Sequence, residues 1–277
     1  MKKITLGFSP CPNDTFIFDA IVNKKIDLRG LDFEVILADV EALNQMANRG
    51  ELAVTKLSYY AYANVQKEYV LLNSGSALGN NCGPLVIAKP DFDPVNIDKA
   101  KIFIPGVQTT ANFLFSLKYP NATNKTAVLF SEIEDAVVNG QCDVGLIIHE
   151  NRFTYQDKGL VKLADMGEFW QNTTGFPIPL GGIAAKRSLD KATLTTVNEI
   201  IKESVNYAFE NTASAMPYIR QHAQAMSEDV MLQHINLYVN KFSIDLGKEG
   251  KEAISFMYNK AQELGLIETV EAELFVN

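Results

Sequence analysis

His149 closes the apolar run Val144–Ile148 and is followed by the polar stretch Glu150-Asn151-Arg152. In α/β sheets, ligands bind beyond the carboxyl ends of the strands. A histidine at such an end is therefore placed for chemistry. Its imidazole, with an unperturbed pKa of about 6.5, is largely neutral at physiological pH and can accept a proton as a general base. The same position also suits a histidine that only satisfies a strand end, and the residues alone leave both readings open. His222 and His234 lie in helical pattern among polar neighbours and read as solvated helix residues.

Ser58, Thr109 and Thr110 form a second group. Each follows a short apolar run and precedes a helix-like segment. A helix start offers unpaired N–H groups and positive partial charge, and a hydroxyl adds a donor, so such a place holds a carboxylate. Plain N-capping uses the same residues. Cys11, in Ser9-Pro10-Cys11-Pro12-Asn13-Asp14, sits in a rigid turn after the first apolar run. It reads as a buried small residue or as a nucleophile, and no basic sequence neighbour activates it. Asn13 and Asp14 read equally as polar cleft residues or as the cap of a helix beginning near Thr15. Phe16, Phe18, Tyr59, Tyr60 and Tyr62 supply core or an apolar slot.

Other chemistries find no support in the pattern. There is no G-x-x-x-x-G-K-[ST] and no G-x-G-x-x-G, so the usual phosphate and dinucleotide loops are missing. No G-x-S-x-G elbow occurs, and three His and three Cys show no metal-ligand spacing. A metal and a nucleotide cofactor are both unexpected. Net charge is −8 and no basic run exceeds two residues, which disfavours nucleic acid as a partner. Cys11, Cys82 and Cys142 are odd in number and scattered, as in a reduced, cytoplasmic chain. The apolar stretch Ile4–Phe8 is too short for a signal peptide and is broken by Pro10, Pro12 and Asp14. No stretch approaches the roughly 18 apolar residues of a membrane span. A monomer and a homodimer both fit this composition.

The elements that must position these residues follow from periodicity. Short apolar runs alternate with amphipathic segments of helix length, which predicts an α/β fold. Strands are expected at Ile4–Phe8, Leu31–Leu37, Leu52–Thr55, Leu85–Ala88, Lys101–Ile104, Asp143–Ile148 and Gly182–Ala185. Asp39 is expected to cap a helix carrying Val40, Leu43, Met46 and Ala47, with Gly50 beyond its end. Tyr59, Tyr62, Val65 and Tyr69 share helical spacing. Ser131-Glu132-Ile133-Glu134 reads as a capping box. From about Leu189 the pattern is helical, with Leu194, Val197, Ile201, Val205 and Ala208 on one long helix. With 277 residues, 47% of them apolar, there is material for two modest domains. Leu85–Ala88 and Gly182–Ala185 flank the middle series, as crossing segments would. The expected division is a larger α/β lobe of residues 1–88 plus 183–277 and a smaller inserted lobe of residues 89–182. A single doubly wound domain is the alternative.

Five segments carry a family resemblance. SPCPNDTFIF (residues 9–18) resembles the signature of the 1,4-dihydroxy-6-naphthoate synthases of the futalosine route to menaquinone. TKLSYYAYA (55–63), GVQTTA (106–111), GLIIHENRFTY (145–155) and HINLYVNKFS (234–243) resemble the same family, in the expected order. Asn151 departs from the serine expected after the His-Glu pair.

The resemblance implies a two-lobed fold of the periplasmic-binding-protein type (type 2), with a ligand cleft between the lobes. It implies a cofactor-independent lyase that splits cyclic dehypoxanthinyl futalosine into 1,4-dihydroxy-6-naphthoate and a three-carbon fragment. His149 matches the family's general base. Lys56, Leu57 and Ser58 match one substrate-contacting segment, and Thr110 with Ala111 matches the other. Cys11, Asn13 and Thr109 are further cleft candidates. The chemistry is consistent with the residues, because a single proton removal followed by C–C cleavage and aromatisation needs one base and stabilisation of an enolate. Two alternatives share the fold: a solute-binding protein without catalysis, and a sister enzyme that dehydrates chorismate.

Overall fold

The computed structural model describes residues 2–223, 227–270 and 273–276. The chain divides into one unit of Met1–Gly79 with Pro179–Asn277, and a second unit of Asn80–Ile178. The first unit begins with β1 (Lys2–Phe8), α1 (Pro12–Val22), β2 (Leu31–Leu37), α2 (Val40–Asn48), β3 (Val54–Ser58), α3 (Tyr59–Val65), β4 (Tyr69–Leu71) and β5 (Ala77–Gly79). The second holds β6 (Leu85–Ala88), β7 (Ile102–Ile104), α4 (Thr110–Lys118), β8 (Lys125–Ala127), α5 (Ile133–Val138), β9 (Val144–Ile147), α6 (Asn151–Thr154), β10 (Val161–Asp165) and α7 (Met166–Thr174). The chain then returns through β11 (Ile178–Lys186) to α8 (Lys191–Glu210), α9 (Thr212–His222), α10 (Glu228–Tyr238), α11 (Lys241–Ile244) and α12 (Gly247–Glu263).

The first sheet runs β2-β1-β3-β11-β4, with β5 against β11. β1 is parallel to both β2 and β3, in register Leu6↔Val54 and Gly7↔Thr55. The carboxyl ends of these three strands therefore share one edge. Ile4, Leu6 and Phe8 alternate into a core that α1 and α8 cover with Phe16, Ile17, Val197, Ile201 and Val205. Pro12 starts α1, where its fixed φ suits a first helical position and its missing N–H costs nothing. Helix α1 thus begins at Pro12 rather than near Thr15, with Asn13 and Asp14 inside its first turn. Asp39 caps α2 through bonds from the N–H groups of Glu41 and Ala42, as its sequence position predicts.

Three local expectations fail here for identifiable reasons. β3 starts at Val54 and runs on through Lys56, so the expected strand at Leu52–Thr55 is displaced toward Ser58. Tyr69 continues the helical spacing of α3 but lies in β4, because the exposed Lys67-Glu68 turn breaks the helix. His234 is fully buried in α10, its ring 4.7 Å from that of Tyr238. Its neighbours Gln233 and Asn236 are exposed while His234, Ile235 and Tyr238 face inward, so the polar neighbours belong to the other face of the helix.

The second sheet runs β10-β6-β9-β7-β8. β9, β7 and β8 are parallel, in register Ile102↔Val144 and Phe103↔Gly145, so their carboxyl ends also share an edge. β6 is antiparallel to β9 and β10 and lies wholly inside this unit. The division after Gly79 and Ile178 thus falls before Leu85–Ala88 instead of after it. Leu85, Ile87, Ile133, Val137 and Ile147 form this unit's core. The expected capping box is not made. Phe130–Glu132 is a 3₁₀ turn, α5 starts at Ile133 without a side-chain cap, and Glu134 is buried beside Lys158 at 3.1 Å. Among the described residues no helix is long and apolar enough to cross a membrane.

Candidate functional site

At the carboxyl ends of β1 and β3, the first unit places a buried polar network centred on Asp14. Its Oδ2 accepts from the Ser9 N–H at 3.2 Å and the Ser9 hydroxyl at 2.7 Å. Its Oδ1 accepts from Asn13 Nδ2 at 2.8 Å and faces Lys56 Nζ at 3.0 Å. Lys56 Nζ also donates to the Gly75 carbonyl at 3.0 Å. The ammonium of Lys56 therefore spends two of its three donors inside the protein. Asp14 fixes the Asn13 amide: a carboxylate only accepts, so the NH₂ must face it. Asn13 Oδ1 is then left buried with no partner among the described residues. Cys11 precedes this network as the buried N-cap residue of α1, its carbonyl accepting from the Asp14 and Thr15 N–H groups.

Ser58 occupies the N-cap position of α3, yet its side chain caps nothing. Asn44 of α2 holds it instead. Asn44 Oδ1 accepts from the Ser58 N–H at 2.9 Å, and Asn44 Nδ2 donates to Ser58 Oγ at 3.2 Å. With Oγ accepting, the hydroxyl proton is available to a further acceptor. Of the two readings the sequence leaves open for Ser58, plain capping does not hold: its hydroxyl is held by Asn44 at the end of β3. Leu57 is buried and paired with Gly182 of β11. A Cβ on Gly182 would lie 2.7 Å from the Tyr59 hydroxyl, so the glycine makes room for that ring. Tyr59, Tyr62, Phe16 and Phe18 are all core residues.

In the second unit, Thr109 and Thr110 follow β7 and His149 follows β9, two adjacent parallel strands. Thr109 is a working N-cap: Oγ1 accepts from the Asn112 N–H at 3.2 Å and donates to the Gly106 carbonyl at 2.8 Å. Thr110 and Ala111 open α4 and are buried. His149 has φ of 57°, a left-handed conformation that a side chain with Cβ disfavours and that Lys24, Arg29 and Asn81 share. The His149 ring meets the Phe130 ring edge-on at 5.1 Å. Glu150 is 7% exposed. Burial raises its carboxyl above the ordinary glutamate range, and the charge on Glu134 adds to the effect. Burial raises Glu134 as well, against the pull of Lys158. Glu150 Oε2 and Glu134 Oε1 have no hydrogen-bond partner among the described residues.

The fold thus joins Asn13 to Lys56 through Asp14 in one unit, and in the other places His149 after β9 and Thr110 after the adjacent parallel strand β7. Asp14, a cleft candidate from the sequence, and Glu150 complete these groups together with Asn44 and Phe130, and spacing along the chain did not announce the last two. Asn44, in particular, is an ordinary position of an amphipathic helix. Burial pushes the Cys82 thiol up to about 12 and Cys142 up to about 11, so neither is a thiolate at neutral pH. Among the described residues, no three His, Cys, Asp or Glu side chains converge as metal ligands would.

A family described as Menaquinone biosynthesis matches residues 4–263. The 1,4-dihydroxy-6-naphtoate synthase of Thermus thermophilus is 43% identical over 276 residues, all of both chains. The crystal structure of protein AF1704 from Archaeoglobus fulgidus is similar, with a TM-score of 0.91 and 31% identity over 96% of this chain and 98% of that one. The alkanesulfonate-binding protein SsuA from Xanthomonas axonopodis pv. citri has a TM-score of 0.71 and 13% identity over 100% of this chain and 96% of its own, a likeness of fold alone. The α/β architecture is that of the periplasmic binding proteins.

Proposed function

The chain belongs to the menaquinone-biosynthesis family, and on that premise we propose that it is a lyase that forms 1,4-dihydroxy-6-naphthoate from cyclic dehypoxanthinyl futalosine, releasing a three-carbon fragment. The observation that carries this reading is His149, held left-handed at the carboxyl end of β9 with its ring against Phe130. Binding alone has no need of a strained histidine at a strand end.

In the proposed reaction, His149 takes one proton from the substrate. The C–C bond to the three-carbon fragment breaks, and its electron pair enters the conjugated system that becomes the naphthalene diol. Aromatisation makes the step favourable, and donors at the developing enolate oxygen lower its barrier. Thr110 and Ala111 at the start of α4, and Lys56, Leu57 and Ser58 at the end of β3, contact the substrate. A carboxylate is a suitable partner for the Ser58 hydroxyl, which Asn44 orients, and for the first N–H groups of α4. Asn13 Oδ1 suits a substrate hydroxyl. Cys11 and Thr109 support the backbone without touching the reaction. The substrate is thus a small carboxylate, and the reaction proceeds without a cofactor.

The test is incubation of the purified protein with cyclic dehypoxanthinyl futalosine and, separately, with chorismate, following naphthoate absorbance and chorismate loss. Naphthoate from the first alone supports the reading. Dehydration of chorismate, or binding of either compound without turnover, overturns it.

A further inference from the structure

We propose that Arg152 is a positioning residue that holds His149 in its left-handed conformation, a role that rests on the reading of His149 as the general base. The backbone N–H of Arg152 donates to the His149 carbonyl at 3.3 Å, closing the turn that carries the histidine. Its guanidinium reaches away from the turn to two anchors. Nη1 donates to the Gly83 carbonyl at 2.5 Å, and Nη2 donates to Asp165 Oδ2 at 2.7 Å. The Asp165 side chain is 1% exposed. Its other oxygen caps α7, accepting from the N–H groups of Gly167 at 2.8 Å and Glu168 at 3.2 Å.

The anchors themselves are tightly packed. A Cβ on Gly83 would stand 2.0 Å from the Gly167 nitrogen, so the segment before β6 packs backbone to backbone against the start of α7. Helix α6, by contrast, is only Asn151–Thr154, and one helical turn has little stability of its own. Left-handed backbone at a residue with Cβ persists only where neighbours over-determine it. Arg152 supplies that constraint, because one planar fork reaches two acceptors on separate segments. A lysine, a point charge on a flexible stem, cannot do this in the same geometry.

The chain has three histidines, so labelling their Cε1 positions gives three resolvable NMR signals, with His149→Asn assigning one. The Phe130 ring makes the His149 signal sensitive to its placement. Arg152→Lys and Arg152→Gln should move that signal toward the value of an unstructured histidine and leave those of His222 and His234 in place. Turnover should fall about ten- to hundredfold, the scale of a small misplacement of a catalytic group, with KM within about twofold. Asp165→Asn should move the same signal by less. An unmoved His149 signal in both Arg152 variants overturns the proposal, as does a folded Arg152→Gln with wild-type turnover. Should wild-type protein fail to consume the proposed substrate, the reading of His149 as its base fails, and the NMR signals still decide whether Arg152 holds the ring.

Discussion

Lys56 Nζ lies 3.0 Å from Asp14 Oδ1, and the two side chains are 6% and 2% exposed. Forty-two positions of sequence separate them, yet register pairing of β1 with β3 brings the ends of those strands together. Asp14 has every remaining lone pair engaged by Ser9 and Asn13. The pair therefore shapes the end of the first sheet.

Removing one partner leaves the other charge buried and uncompensated, which costs about 3–5 kcal/mol. Lys56→Met should lose stability on that scale in urea unfolding. Adding Asp14→Asn to it should restore part of the loss, because the orphaned charge is gone. A cost for Lys56→Met below about 1 kcal/mol would show that water reaches Asp14 freely.

Ser58→Ala and Thr110→Val should weaken substrate binding more than they slow turnover of bound substrate. Each loses a hydrogen bond to a charged group, worth about 1.5–3 kcal/mol, or about ten- to hundredfold in affinity. Asn44→Ala should reproduce the Ser58 effect, since Asn44 orients that hydroxyl. Calorimetric titration decides; normal affinity in all three variants removes these residues from the substrate site.

These network residues mark the limit of what the sequence discloses. Asp39 caps α2 from a neighbouring position, and Leu31–Leu37 alternates against a local turn, so both are legible at short range. The Asp14–Lys56 and Arg152–Asp165 pairs depend on strand order, which no spacing encodes. Glu134 imitates a capping box because Ser-x-x-Glu is a local rule, while the pull that places it comes from Lys158. His149 was legible, because a polar residue ending an apolar run reports the strand end itself. Its left-handed backbone was not, for nothing in its type requires one.

Burial holds the Glu150 carboxyl above its ordinary value of about 4.3. The folded state then keeps that proton more tightly than the unfolded chain. By linkage, Glu150 lowers stability progressively as pH rises from its unfolded value through its folded one, and the full cost is present above both. Glu150→Gln keeps the shape and removes the titration. Its thermal midpoint should exceed that of wild type at pH 7, with the difference shrinking below pH 4. A lower midpoint at pH 7 would mean that the carboxylate has a partner that stabilises its charge.

Cys11→Ser should keep most of the activity, because the proposed reaction has no covalent step at this residue. Steady-state rates on folded protein test this. A loss above about a hundredfold would point to a nucleophile and a covalent intermediate.

Turnover of His149→Asn, measured with its thermal midpoint on one preparation, decides whether His149 is the base. Asparagine keeps a hydrogen bond but accepts no proton at neutral pH. If His149 is the base, turnover falls about 10²–10⁴-fold or more, with nearly unchanged substrate affinity and a midpoint close to wild type. The wild-type rate should rise with pH as the imidazole loses its proton, and that limb should be missing from the variant's residual rate. Wild-type turnover in folded His149→Asn protein would show that His149 is not the base.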